Sequence, residues 1–183
     1  MGISVDSANP KTRLEMGRAH KGRFPTTNEE YIEKAELLRA AGISLKINSV
    51  VTAQNYHEHL APFIQQLRPS RWKVFQALQV EGQNALGAEE LVCDDSMYAQ
   101  FRANNDEWLD PSVVTTVFED NDAMTGSYAM VDPFGKFFDN TLGRHRYSAP
   151  IFEVGAMKAY SEISVDHAKF EARGGEYTIS KSV

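Results

Sequence analysis

The chain has 183 residues, a formal net charge of -6 and a single cysteine. That length holds one domain with a sizeable core, or part of a larger α/β enzyme, and the acidic balance excludes direct binding to nucleic acid, which needs a basic surface. The lone Cys93 excludes an internal disulfide and any multi-thiolate cluster built from this chain alone, pointing to a reducing, cytoplasmic setting; no apolar run is long enough for a membrane span, and no signal-peptide core is present.

In chain order, residues 3–7 alternate apolar and polar side chains and read as a short strand that opens into a turn at Ala8-Asn9-Pro10. The basic, Gly-punctuated segment 11–25 reads as a loop. Asn28 is expected to cap a helix through Ala41, with Tyr31, Ala35 and Leu38 as its apolar stripe and Gly42 as its stop. A strand follows over 43–51. Asn55 is expected to cap the next helix, ending at Pro69, and a second strand runs over 71–79.

Both strands carry charge where a buried strand should not. Alternate residues of an extended chain share a face, so Lys46 and Asn48 point one way and Leu45, Ile47 and Ser49 the other. By the same parity Arg71 and Lys73 share a face opposite Trp72 and Val74. Burying three cations costs several kcal/mol unless something negative lies among them, and an anionic ligand fits that role. Solvated strand ends, or acids of the protein itself, are the bland alternatives.

The β-α-β-α-β alternation to this point specifies parallel strands. Farther on, Asp94 or Asp95 caps a helix bearing Met97, Phe101 and Trp108, and residues 113–118 and 127–131 read as strands. Asp132-Pro133-Phe134-Gly135 is a turn, which makes 127–139 a hairpin. Helices are expected near 153–161 and 166–173, stopped at Gly174-Gly175. His57 and His59 do not converge on a metal at their spacing, Gly17 to Gly22 is no phosphate loop, and Asp106, Glu107, Glu119 and Asp120 read as solvated loop acids.

The run Lys46-Ile47-Asn48-Ser49-Val50-Val51, followed by Pro69-Ser70-Arg71-Trp72-Lys73-Val74-Phe75-Gln76, resembles the C-terminal half of viperins. The likeness extends upstream to Ser4-Val5-Asp6-Ser7 and Gly17-Arg18. Downstream it takes in Ser127 to Asp132 and Arg173-Gly174-Gly175-Glu176-Tyr177. Viperins are radical S-adenosylmethionine enzymes, so the resemblance implies an α/β fold that is part of a (βα)6 partial TIM-type barrel, over residues 1–120, with a C-terminal extension over 121–183.

It also implies an antiviral nucleoside triphosphate dehydratase, converting CTP, or UTP or GTP, to a 3'-deoxy-3',4'-didehydro nucleotide. Lys46, Asn48, Arg71 and Lys73 match triphosphate-binding positions, and His145 lies with Arg144 and Arg146 in the family's basic loop near the nucleotide. Ser4, Arg18 and Val50 match the S-adenosylmethionine pocket, Asp6 standing behind them. Tyr128 matches a tyrosine that quenches the substrate radical.

The family's Cys-x3-Cys-x2-Cys motif, which ligates a 4Fe-4S cluster, is absent from this sequence, so the chain alone is expected not to perform the radical step. The expectation is therefore a fragment or half that works with a missing N-terminal half or separate subunit. Its rivals are an inactive nucleotide-binding module and a scaffold protein. An open strand edge beside residues 3–7 also predicts that the isolated chain forms a homodimer or is poorly soluble.

Overall fold

The computed structural model describes residues 1–20, 24–77 and 89–176. They fall into two compact units, one comprising the described residues of Met1–Leu78 and Gly87–Asp120, the other those of Asn121–Val183.

The first unit is built on a parallel sheet. Strand β1 is Gly2–Ser4, followed by helix α1, Pro10–Glu15, a two-residue ribbon of β2, Ala19–His20, and β3, Phe24–Pro25, and then α2, Asn28–Ala40. Next come β4, Lys46–Val51; α3, Ala61–Leu67; β5, Arg71–Gln76; α4, Asp95–Asn105; and β6, Thr115–Glu119. The strand order is β1-β4-β5-β6, all parallel. The fold class is thus mixed α/β, and the run at 113–118 supplies a fourth strand to the same sheet. The end of the strand expected over 71–79 beyond Ala77, and Tyr177, lie outside the described residues.

One face of this sheet makes the core. Ile47 and Val51 of β4 and Trp72 and Val74 of β5 are buried with Leu60, Phe63, Ile64 and Leu67 around α3, and with Tyr98 and Phe101 of α4. Trp72 lies edge-on to Phe101 and to Phe118. Its indole Nε1 donates to Ser49 Oγ at 2.9 Å, and that hydroxyl in turn donates to the Val5 carbonyl.

Several local expectations are corrected. Residues 11–25 are not all loop, because Pro10 opens α1 and the Asn9 side chain accepts from Lys11 N. The cap of α2 is Thr27, whose hydroxyl accepts from Glu30 N while the Glu30 carboxylate accepts from Thr27 N. Asn28 instead accepts from the buried Arg13 guanidinium and donates to Ala8 O. Asn55 caps no helix. It closes a turn, accepting from Thr52 N and donating to the carbonyls of Asp6 and Val50, which ties the ends of β1 and β4 together.

Helix α3 therefore begins later, at Ala61, and its cap comes from α4. The Asn105 side chain accepts from Leu60 N and Ala61 N, both at 2.8 Å, and donates to the carbonyls of Glu58 and Phe101. Replacing Asn105 with alanine leaves the buried Leu60 and Ala61 N–H groups without that acceptor, and an expected loss of about 2 kcal/mol follows. Urea unfolding followed by circular dichroism checks it. Trp108, expected on the apolar stripe of α4, lies beyond that helix, exposed and against His59.

The second unit holds α5, Asn121–Met124, and an antiparallel sheet of β7, Met130–Val131, β8, Lys136–Asp139, and β9, Arg146–Pro150. The expected hairpin is present, but its first strand is only Met130–Val131 and not 127–131: Asp132 accepts from Phe134 N and Lys136 N through its carboxylate, and Gly135 takes a φ of +71° that suits glycine. Three short helices follow, α6, Ile151–Val154, α7, Ala156–Ser161, and α8, His167–Ala172, the last capped by Asp166. No helix among the described residues is long and apolar enough to cross a membrane.

Candidate functional site

Register partners on neighbouring strands project to the same face of a sheet. Opposite the apolar core, the parallel sheet therefore gathers a polar face in rows. In the first row Lys46 is level with Arg71 and Arg71 with Thr115. The next row sets Ser4 beside Asn48, Asn48 beside Lys73 and Lys73 beside Val117. A third row, toward the C-terminal ends where α/β barrels keep their sites, holds Val50, Phe75 and Glu119. The parity read from sequence is the parity seen: Ile47, Ser49 and Val51 are fully buried behind, while Lys46, Asn48 and Val50 are half-buried in front.

Lys73 departs from its neighbours. Its side chain is 2% exposed and forms an ion pair with Glu119, itself 0% exposed. Glu119 is thus a buried strand residue, not a solvated loop acid. One signal in the sequence could have found it. The β-branched run ahead of it, continued by a single residue, puts Glu119 in a strand on the same parity as Thr115 and Val117, although not beside any particular neighbour.

Asn48 contributes a different signal. Its amide Oδ1 is buried and has no hydrogen-bond partner among the described residues. A buried acceptor left unmatched is costly, so it marks a place where a donor group fits.

At the end of β1, Asp6 joins the other sequence-predicted residues. Its carboxylate accepts from Val50 N at 2.7 Å through Oδ1 and from Arg18 Nε through Oδ2. Burial pushes the Asp6 carboxyl above its ordinary value, against the opposing pull of the Val50 N–H and the Arg18 guanidinium. Arg18 is anchored by its Nε while about half of its side chain stays exposed, so its terminal nitrogens can present a fork to a carboxylate. Ser4 ends β1 level with Asn48, while Arg18 and the Val50 N–H meet at the Asp6 carboxylate just beyond that strand.

An iron–sulfur cluster does not fit this chain's own residues. Cys93 is buried, and burial, reinforced by Asp94 and Asp95, pushes its thiol up to about 11, so it is no thiolate at neutral pH. Among the described residues no group of three His, Cys, Asp or Glu side chains is placed to hold a metal ion.

Tyr128 and His145 belong to the second unit. Tyr128 is half-buried, with the Arg173 guanidinium 3.7 Å from its ring centroid; Arg173 also donates to Ser127 O. His145 packs its ring against Phe138 and sets Nδ1 3.4 Å from the Tyr147 hydroxyl. Of its basic neighbours, Arg144 is exposed and Arg146 is paired with Asp139.

No family model matches the chain. It is 40% identical, over 97% of its length, to an S-adenosylmethionine-dependent nucleotide dehydratase of Lacinutrix mariniflava, covering 36% of that protein. A protein of the same name from Flammeovirga pacifica is 37% identical over 96% of the chain and 58% of its own length. The S-adenosylmethionine-dependent nucleotide dehydratase RSAD2 of Siniperca chuatsi is 33% identical over the whole chain and 51% of its own length. The chain thus spans about half the length, or less, of these relatives. Along nearly its entire length the chain is thus viperin-like, similar to about half of proteins named S-adenosylmethionine-dependent nucleotide dehydratase.

Proposed function

We propose that this chain is the nucleotide-binding part of a viperin-like radical S-adenosylmethionine dehydratase that acts on a nucleoside triphosphate, CTP first among them, in the cytoplasm and in antiviral defence. The observation that carries this reading is the pairing in register of Lys46 with Arg71 and of Asn48 with Lys73 on one polar sheet face, in a chain whose relatives are named nucleotide dehydratases.

In this reading Lys46, Arg71 and Lys73 meet the phosphates. Arg71 offers a planar fork to two phosphate oxygens and the lysines offer point charges. A phosphate oxygen can only accept, so the buried Asn48 amide oxygen suits a ribose hydroxyl instead. Ser4, Arg18 and Val50 hold S-adenosylmethionine, which when bound supplies the radical chemistry, with Arg18 on its carboxylate and Val50 against its adenine. Tyr128 acts as the hydrogen donor that ends the radical sequence and His145 contacts the nucleotide.

The first unit is then part of a (βα)6 partial barrel and residues 121–183 its C-terminal extension. A 4Fe-4S cluster is carried by a separate stretch of polypeptide with the Cys-x3-Cys-x2-Cys motif, which docks along the outer edge of β1; without it that edge pairs with a second copy of the chain. Calorimetric titration with CTP, UTP and GTP tests the reading. CTP is expected to bind in the micromolar range, more tightly than the others, and no heat with any triphosphate overturns the site.

A further inference from the structure

Phosphate binding by cations leaves one feature of the polar face without a role: the acid buried against Lys73. The contact is a diagonal one. Lys73 is level with Val117, whereas Glu119 is level with Phe75, one row on. Phe75 projects to the same face, and its ring centroid lies 5.4 Å from Lys73 Nζ. The lysine head is thus enclosed by an aromatic ring and a carboxylate, with almost no access to water.

A lysine stripped of hydration favours its neutral amine, and a neutral amine is a poor partner for phosphate. A carboxylate at contact distance reverses that preference and fixes the end of a flexible four-carbon stem. Among the described residues, the other ionisable groups near this face do not serve. Lys46 and Arg71 are cations one row away and act in the opposite sense. Asp6 and Arg18, past the end of β1, are paired with each other. From α4, the Tyr98 phenol donates to Val74 O and is held neutral, chiefly by burial and then by Asp120 and Glu119. Among the described residues, Glu119 places a carboxylate in contact with the Lys73 ammonium.

We propose that Glu119 is a positioning residue for the polyanionic end of the substrate: it keeps Lys73 charged and aimed across the polar face before the nucleotide arrives. The proposal rests on the reading of Lys73 as a triphosphate ligand. An ammonium has three donors, so a carboxylate and a phosphate oxygen can share it, and the nucleotide joins the pair without displacing Glu119.

The test is calorimetric titration of CTP from about pH 7 to about pH 9. Glu119→Gln is expected to bind about tenfold more weakly than the wild type at the lower pH, because an ammonium without its carboxylate is misplaced and poorly held. The ratio of the two dissociation constants should then widen as pH rises, since the variant's Lys73 gives up its proton; taking a ratio removes the titration of the nucleotide itself. Glu119→Asp should restore most of the affinity. In a Lys73→Gln background the Glu119 substitution should weaken binding no further. A ratio that stays constant with pH, or losses that add in the double variant, overturns the proposal. Should the wild type bind no triphosphate, the nucleotide reading fails by itself, and the positioning claim is decided by the Lys73 13Cε resonance of the wild type. That resonance should hold its ammonium position to about pH 9, and a lysine that titrates below this overturns it.

Discussion

Replacing Trp72 with alanine is expected to destabilise the first unit by about 3–5 kcal/mol, the range for large buried aromatics. Trp72 is fully buried between α4 and β6, touching Phe101 and Phe118 through their edges. Its removal opens a cavity in a close-packed interior and also takes away the donor that Ser49 Oγ accepts. The indole N–H lies within a chain that runs from β5 through Ser49 to the Val5 carbonyl, so three strands lose a common tie. Urea unfolding measures the loss. Trp72→Phe separates the two contributions, retaining most of the ring while losing the hydrogen bond, and should cost about 1–2 kcal/mol. A loss below about 1 kcal/mol for the alanine variant would show that the core repacks around the gap.

Arg71→Ala is expected to weaken triphosphate binding by about 100-fold, in line with the loss of a partly desolvated charged pair. Arg71 stands in the first row beside Lys46 and half-buried, so its guanidinium is only partly hydrated before a ligand arrives. Lys46→Ala should cost less, about tenfold, because a lysine offers one point charge where arginine offers two parallel donors. Arg71→Lys should recover little, since the ammonium cannot reproduce the fork. The urea midpoint of each variant, measured alongside, separates a binding defect from a folding defect. Equal losses for CTP and cytidine would place Arg71 away from the phosphates.

The sequence made the two-sidedness of the sheet legible, because period-two parity is local: Lys46 and Asn48 cannot share a face with Ile47 and Ser49 in any extended chain. The succession of strands and helices was equally plain from β-branched runs punctuated by Gly and Pro. Partners distant in the chain were not. Asn105 caps α3 from 44 residues away. Asn28 turns from the helix end to satisfy Arg13, a buried guanidinium in a segment that reads as basic loop. Glu119 looked solvated because nothing adjacent in sequence reveals that β6 lies beside β5; only the strand pairing brings the acid to Lys73.

The segregation of the sheet into two faces also bears on how such a protein can change. Substitutions behind the sheet, at Trp72, Val74 or Ile47, disturb close packing and are paid for in folding. Those in front, at Lys46, Asn48 or Arg71, alter half-exposed groups and leave the core intact. Substitutions in the front rows can therefore accumulate without the packing losses that follow behind the sheet. Lys73 and Glu119 are the exception, for neither can change alone without stranding a buried charge, so that pair is expected to be kept or exchanged together.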